Sequence, residues 1–296
     1  MAIVDRRAVL TGTAGALALA PLPGLARPAP LTAGEVFAAI KAASGQPWDP
    51  DATDDRIIHG DRALPVTGIA TCFLATIEVL REARRQGLNY VIPHEATFYE
   101  RYDDFAESVI ADDDRVLRAK LDLIDRAGMV IQRMHTHAHS RPGGDPIMLG
   151  LLAQLGWDRF RQPDVGGRVL VKLPPQPARL VGADIKRALG RRTLRMVGDP
   201  ERVISTISVS AGMPGETIEM QQLESGADAV LLGEVREPEV IGYAQDMAAT
   251  RPVTVFLAGH TNEDAGMKLV ADWLQTVFPA LPVRWLPIRD PYTNPA

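Results

Sequence analysis

The sequence predicts an α/β fold of mixed, largely parallel sheets with helices on their faces. Three observations carry this. Short apolar, β-branched runs alternate with segments of helical periodicity along most of the chain. Strands separated by helices need crossover connections, which favour parallel pairing. The composition, 46% hydrophobic and 23% charged over 296 residues, is ample for a core.

Element by element, Val36, Phe37 and Ile40 recur at helical spacing over residues 31–43, behind a cap at Thr32. Residues 46–62 read as a polar loop, and His59 within it as a surface or structural residue. A strand at 66–73 is followed by a helix at 76–86 that Gly87 stops. A second strand at 88–93 ends on His94-Glu95, and an acidic, aromatic loop follows. A helix at 116–127 leads to a third strand at 129–135, and the turn Pro142-Gly143-Gly144 to a helix at 145–155. Strands at 169–173 and 194–197 flank a helix at 182–189, and Pro174-Pro175-Gln176-Pro177 reads as a rigid connector near which a minor subdomain, about 170–215, begins. A strand at 203–210 precedes a loop marked by Gly212 and Gly215. The rest repeats the alternation: helix 217–225, strand 229–232, helix 238–248, strand 253–258, helix 264–278 and strand 283–287.

The composition also excludes several classes. A net charge of -5 and a pI near 5.7 argue against a nucleic-acid partner, which needs a basic surface. Cys72 is the only cysteine, so no disulfide forms within the chain. Beyond the N-terminus no apolar run reaches the roughly 18 residues of a membrane span.

Residues 1–30 read as an export signal and leader. Arg6-Arg7 stands directly before the apolar run 9–22, and Gly24-Leu25-Ala26 offers small residues for cleavage. The arginine pair points to the twin-arginine route, which carries folded proteins to the periplasm or beyond. The mature unit, 31–296, is then expected away from membranes.

His94, His135 and His260 each follow a predicted strand, and ligands of open α/β sheets gather at carboxyl strand ends. In His135-Thr136-His137-Ala138-His139, an extended chain turns all three imidazoles to one side. Such a cluster, with nearby carboxylates, suits Zn, Fe or Mn. A ligand-free surface run is the plainer reading of a histidine cluster, but this one leaves the apolar strand Met129-Val130-Ile131. Beyond its strand end His94-Glu95 can splay around metal, although a capped strand with an exposed Glu95 would look the same. His260 stands three residues before Glu263 and four before Asp264, a chelating spacing that also describes an acidic helix start. No G-x-S-x-G elbow, Walker motif or G-x-G-x-x-G occurs, which leaves metal chemistry as the local signal.

Taken in order, these motifs resemble the GTP cyclohydrolase 1 type 2-like, or NIF-three-like, family. The segment from Val66-Thr67-Gly68-Ile69 to Val91-Ile92-Pro93-His94-Glu95 is similar to its first motif, with Glu95 where a second histidine is usual. His135-Thr136-His137-Ala138-His139, then Pro142-Gly143-Gly144-Asp145, is similar to its His-Thr-Asn-Leu-Asp motif, with His139 in place of the bridging aspartate. Gly259-His260 with Glu263 resembles the third, where the usual spacing is four residues rather than three. The resemblance spans roughly residues 34–290. It implies an α/β fold, a two-metal centre that His139 could reduce to one ion, and ring-shaped homo-oligomers.

The expected function is metal-assisted hydrolysis of a small molecule at a mononuclear or dinuclear divalent site. His94, Glu95, His135, His137, His139, His260 and Glu263 are the candidate ligands, with some of the three clustered histidines orienting others. Glu95 is also a candidate general base, and Glu234, after another strand, a second catalytic carboxylate or a solvated helix start. A non-catalytic metal-binding or metal-delivery protein is the competing reading. A third is a scaffold whose segment 98–105 recruits a partner, unless that segment is a lid with Tyr99 and Arg101 on substrate.

Overall fold

The described residues form two five-stranded mixed sheets, each covered by helices on both faces. The structure is a computed structural model that describes residues 29–48, 54–100, 103, 113–141, 143–163 and 169–295. Residues 1–28, with Arg6 and Arg7 of the expected leader, therefore lie outside the described residues, as do Arg101 and Phe105.

The first sheet holds β1 (Ile57–His59), β2 (Ile69–Cys72), β3 (Tyr90–Pro93), β4 (Val130–Gln132) and β10 (Val283–Trp285), in the order β1-β4-β3-β2-β10. Its pairs are parallel except β1 with β4. Strand alternation divides its side chains between two cores. Ile69, Tyr90, Ile92 and Val130 pack against α1 (Ala33–Ala43) and α9 (Asp264–Val277), while Ala70, Cys72, Val91 and Ile131 pack against α2 (Ile77–Arg85) and α3 (Arg115–Arg126). Thr32 and Glu35 form a reciprocal capping box at the start of α1.

The second sheet runs β5-β7-β8-β9-β6, with β5 (Val169–Pro177), β6 (Arg195–Val197), β7 (Val203–Val209), β8 (Ala229–Leu232) and β9 (Thr254–Leu257). The central pairs are parallel and both edge pairs antiparallel. One face carries α6 (Ala178–Ala188) and α5 (Pro146–Leu155), the other α7 (Glu216–Leu223) and α8 (Gly242–Met247). The sheet takes in residues 169–257, a wider span than the expected subdomain at 170–215.

Three segments depart from the sequence expectation. Pro174-Pro175-Gln176-Pro177 is the second half of β5 rather than a connector. An edge strand tolerates prolines because its outer N–H groups need no partner, and the register shifts between Lys172 and Gln176 where they fall. Residues 57–59 of the expected loop form β1, a strand too short to leave a pattern. His135 to His139 is not extended: Thr136–His139 forms a single helical turn, α4.

The two halves meet through α5 and α9. Ile147 of α5 joins the first core, while Leu151, Leu152 and Leu155 join the second. Gly150 and Gly266 let the helices cross in close contact: a Cβ on Gly150 would lie 2.6 Å from Gly266 Cα, and one on Gly266 2.4 Å from Ile147 Cα. This crossing brings the carboxyl ends of β3 and β4 to those of β7, β8 and β9.

Candidate metal centre

Parallel pairing continues past the strand ends to deliver the first two side chains. His94 N donates to Cys72 O at 2.9 Å and Glu95 N to Phe73 O at 3.0 Å. His94 is fully buried, and its ring stacks on His135 with centroids 4.5 Å apart. Its Nδ1 meets the Met134 carbonyl at 3.2 Å. A carbonyl only accepts, so Nδ1 carries the proton and Nε2 presents its lone pair inward. Burial holds the His94 pKa below its usual value, against the pull of Glu263, and keeps the imidazole in the neutral form that a metal binds.

The helical turn of α4 changes which histidines share a face. Residues four apart align on a helix, so His135 and His139 turn together and His137 turns away. Ring nitrogens of His94, His135 and His139 lie within 4.8 Å of one another. His137 instead stacks on Trp48 at 3.8 Å, with Nδ1 2.6 Å from Asp55 Oδ2 and Nε2 3.1 Å from the Pro47 carbonyl. Both nitrogens are engaged, so His137 offers no lone pair to an ion, contrary to the face-sharing read from an extended chain. Buried Asp55 also accepts the backbone N–H groups of His135 and His137 and fixes the turn. Asp145 does two jobs: Oδ1 caps α5, and Oδ2 accepts from His139 Nδ1 at 2.9 Å. Burial lowers the His139 pKa, but this bond and the charges of Glu263 and Glu95 outweigh it and raise the value.

His260–Glu263 is a 3-10 turn ahead of α9. In that geometry residues three apart eclipse, which puts Glu263, not Asp264, beside His260. Glu263 Oε2 stands 3.4 Å from His94 Nε2 and 3.3 Å from His260 Nε2. Glu95 Oε1 stands 3.4 Å from both His135 Nε2 and His260 Nε2. The outer nitrogen of His260, Nδ1, donates to Glu234 Oε2 at 2.9 Å. Burial opposes charge on His260, yet Glu263, Glu95 and Glu234 raise its pKa to about 11. Burial likewise opposes charge on the two acids. His260 and His94 nevertheless lower Glu263 to about 2, and His135 and His260 hold Glu95 well below the usual carboxylate range. Asp264 is buried away from this cluster, which raises its pKa to about 6 against the pull of Trp285 and the backbone of Ile288 and Phe73.

Gly212 makes room for the arrangement. Its φ is +56°, and a Cβ there would lie 2.1 Å from Glu263 Oε1 and 3.0 Å from His260 Nε2. Buried Asn262 holds the Gly212 loop, accepting from Gly212 N and donating to the Ser210 carbonyl. A cavity of about 820 Å³ opens beside the cluster, and its lining includes Glu95, His139 and Glu263 as well as Met148, Val209 and Ile218.

These residues fit a divalent metal. His94 Nε2 and Glu263 Oε2 are buried without hydrogen-bond partners although they face each other. Two ligands of one tetrahedral ion bound at about 2.1 Å stand about 3.4 Å apart, the spacing found around this ring of donors. Imidazole and carboxylate donors suit Zn, Fe or Mn; Cys72 is buried in β2, and burial raises its thiol pKa.

The fold and the family match define a class of protein. The family model Duf34/NIF3 (NGG1p interacting factor 3) matches residues 56–291, and the chain belongs to this family. Its fold is similar to that of the Staphylococcus aureus hypothetical protein SA1388, with TM-score 0.69 and 19% identity over 90% of this chain and 99% of that one. A Bacillus cereus protein related to NIF3 gives TM-score 0.67 and 15% identity over 89% and 99%. The protein ybgI, of unknown function, gives 0.66 and 22% over 88% and 100%. No curated protein sequence matches the chain.

Asp55 leaves no signal in the sequence, which marks Asp145 only as a motif end before the proline that opens a helix and Gly212 only as a loop residue, and assigns none of Asp55, Asp145, Gly212 and Asn262 a part in the centre.

Proposed function

We propose that the protein is a metal-dependent hydrolase of a small molecule, its centre held by His94, Glu95, His135, His139, His260 and Glu263. The observation that carries this is the buried pair His94 Nε2 and Glu263 Oε2, which face each other at 3.4 Å without either making a hydrogen bond, because burying such groups without one is costly. A divalent ion bound there would supply Lewis acidity and bring the pKa of a coordinated water toward about 7. The chain's own residues orient the donors. Met134 O, Asp145 and Glu234 each accept a hydrogen bond from an Nδ1–H, of His94, His139 and His260, and leave Nε2 as the inward nitrogen. Glu234 thus serves as an orienting carboxylate on the outer side of His260 rather than as a base. Glu95 suits a ligand better than a base, since a carboxylate held well below its usual range is a weak proton acceptor near neutral pH. Met148, Val209 and Ile218 in the cavity lining favour a substrate with an apolar portion.

If all six donors closed on one ion, no position would be left for water, and the second reading, a metal-binding or delivery protein without catalysis, would hold. Elemental analysis of purified protein, with a screen against generic phosphate and ester substrates, separates the two. Metal with turnover supports the hydrolase, metal without turnover the carrier, and no metal sinks both. His260→Ala should lose most bound metal, and Glu95→Gln should cut hydrolysis about a hundredfold while the fold persists. Unchanged stoichiometry in the first variant would remove His260 from the centre.

A further inference from the structure

Arg133 follows β4 directly and is buried, its side chain 4% exposed. Its Nη2 lies 3.3 Å from Glu95 Oε2, its Nη1 3.4 Å from Asp54 Oδ1, and its Nε donates to the His94 carbonyl at 3.4 Å. One planar fork therefore ties together a ligand side chain, a neighbouring ligand's backbone and a second carboxylate, which a lysine could not do. The two oxygens of Glu95 are treated differently as a result. Oε2 is occupied by the guanidinium, while Oε1 alone faces His135 Nε2 and His260 Nε2. Glu263 has no such clamp on the oxygen that faces the histidines.

We propose that Arg133 is a positioning residue that restricts Glu95 to one coordinating oxygen and so keeps a coordination position free on the cavity side. This rests on the metal-centre reading above. A carboxylate with both oxygens free can chelate one ion through both, and it would then fill a position that catalysis needs open. A guanidinium also competes with a cation for the same carboxylate. Removing Arg133 should therefore tighten metal binding while closing the open position. A purely structural Arg133 would do the reverse, since a loosened ligand shell binds less well.

The test uses cobalt(II) as the probe on the full mature chain, stripped of metal with a chelator. Wild type, R133M, R133K, E95Q and the double variant R133M/E95Q are titrated and their visible d–d spectra recorded. R133M is expected to bind cobalt at least about tenfold more tightly, with weaker absorption as coordination number rises. R133K should shift the same way by less, and it decides the matter if R133M is insoluble. In the E95Q background the same replacement should leave affinity and spectrum unchanged, because the effect passes through Glu95. Equal or weaker affinity with an unaltered spectrum in both arginine variants overturns the proposal, as does an effect of full size in the E95Q background. Wild type that takes up no cobalt or zinc sinks the metal reading itself, a result distinct from a metal-binding wild type with an inert Arg133.

Discussion

Gly212 shows how much of the centre depends on an atom that is missing. The space where its Cβ would sit is taken by the Glu263 carboxylate, 2.1 Å away, and its positive φ already disfavours any other residue. Gly212→Ala should therefore displace Glu263 and lower metal affinity by at least about tenfold, more than its effect on folding alone predicts. Calorimetric metal titration with a melting curve separates the two, and a variant of unchanged affinity would refute the steric argument. Asp264, one residue beyond Glu263, gives a prediction of opposite character. Its carboxyl is buried and its pKa rises from 3.8 to about 6, so the folded state prefers it protonated. A raised acid contributes stability that is present below about pH 4 and is lost as pH climbs through about 6. Asp264→Asn keeps the neutral shape at every pH. Chelator-treated variant should exceed wild type in unfolding free energy at pH 7.5, by about 1–3 kcal/mol, and match it below pH 4. A gap that stays constant from pH 4 to 7.5 would show that burial of this carboxyl is not the cause.

At the scale of elements, the α5–α9 crossing ties the two sheets, and the centre straddles it. Gly266→Ala would gain roughly 1 kcal/mol of helix propensity. It would also set a Cβ 2.4 Å from the Ile147 backbone, where no flexible side chain can yield. Overpacking of this kind costs about 1–3 kcal/mol or more, so the net expectation is a lower melting temperature with loss of bound metal as Glu263 moves. A variant as stable and as metal-replete as wild type would mean that the helices can slide apart freely. Much of this layout was legible beforehand. Central strands such as Tyr90–Pro93 and Ala229–Leu232 are buried on both faces and read as plain apolar runs, so their ends, and the histidines there, could be placed. The 135–139 run was misread because a histidine at every second position imitates a strand, while tertiary bonds from Asp55 wind it into a turn. β5 was cut short because prolines ordinarily end strands, an inference that fails at a sheet edge. Arg133 gave no signal, since its partners Asp54 and Glu95 are 79 and 38 residues away.

For the whole molecule, the question is how the metal centre and the N-terminal segment relate. The donors come from chain positions as far apart as His94 and Glu263, so the centre exists only once both sheets have folded and docked. A metal bound there would stabilise the folded state alone, and its acquisition would then be coupled to folding. Among the described residues no helix is long and apolar enough to cross a membrane. The N-terminal apolar run follows Arg6-Arg7, the pattern of a signal read by the twin-arginine machinery, which accepts folded cargo. We propose that the protein folds around its metal in the cytoplasm and is exported loaded. A chain exported unfolded would have to find the correct ion outside, where geometry alone guards poorly against a more competitive metal. The test compares wild type with the variant Arg6→Lys and Arg7→Lys, which keeps the charge of the segment. The variant precursor should accumulate in the cytoplasm, folded and metal-replete by elemental analysis. Replacing His260 by Ala in the wild-type precursor should slow export as well, since a chain that folds less completely is poorer cargo for this route. Normal export of the double-lysine variant would remove the twin-arginine assignment. Unimpaired export of a metal-free His260→Ala precursor would separate export from metal loading.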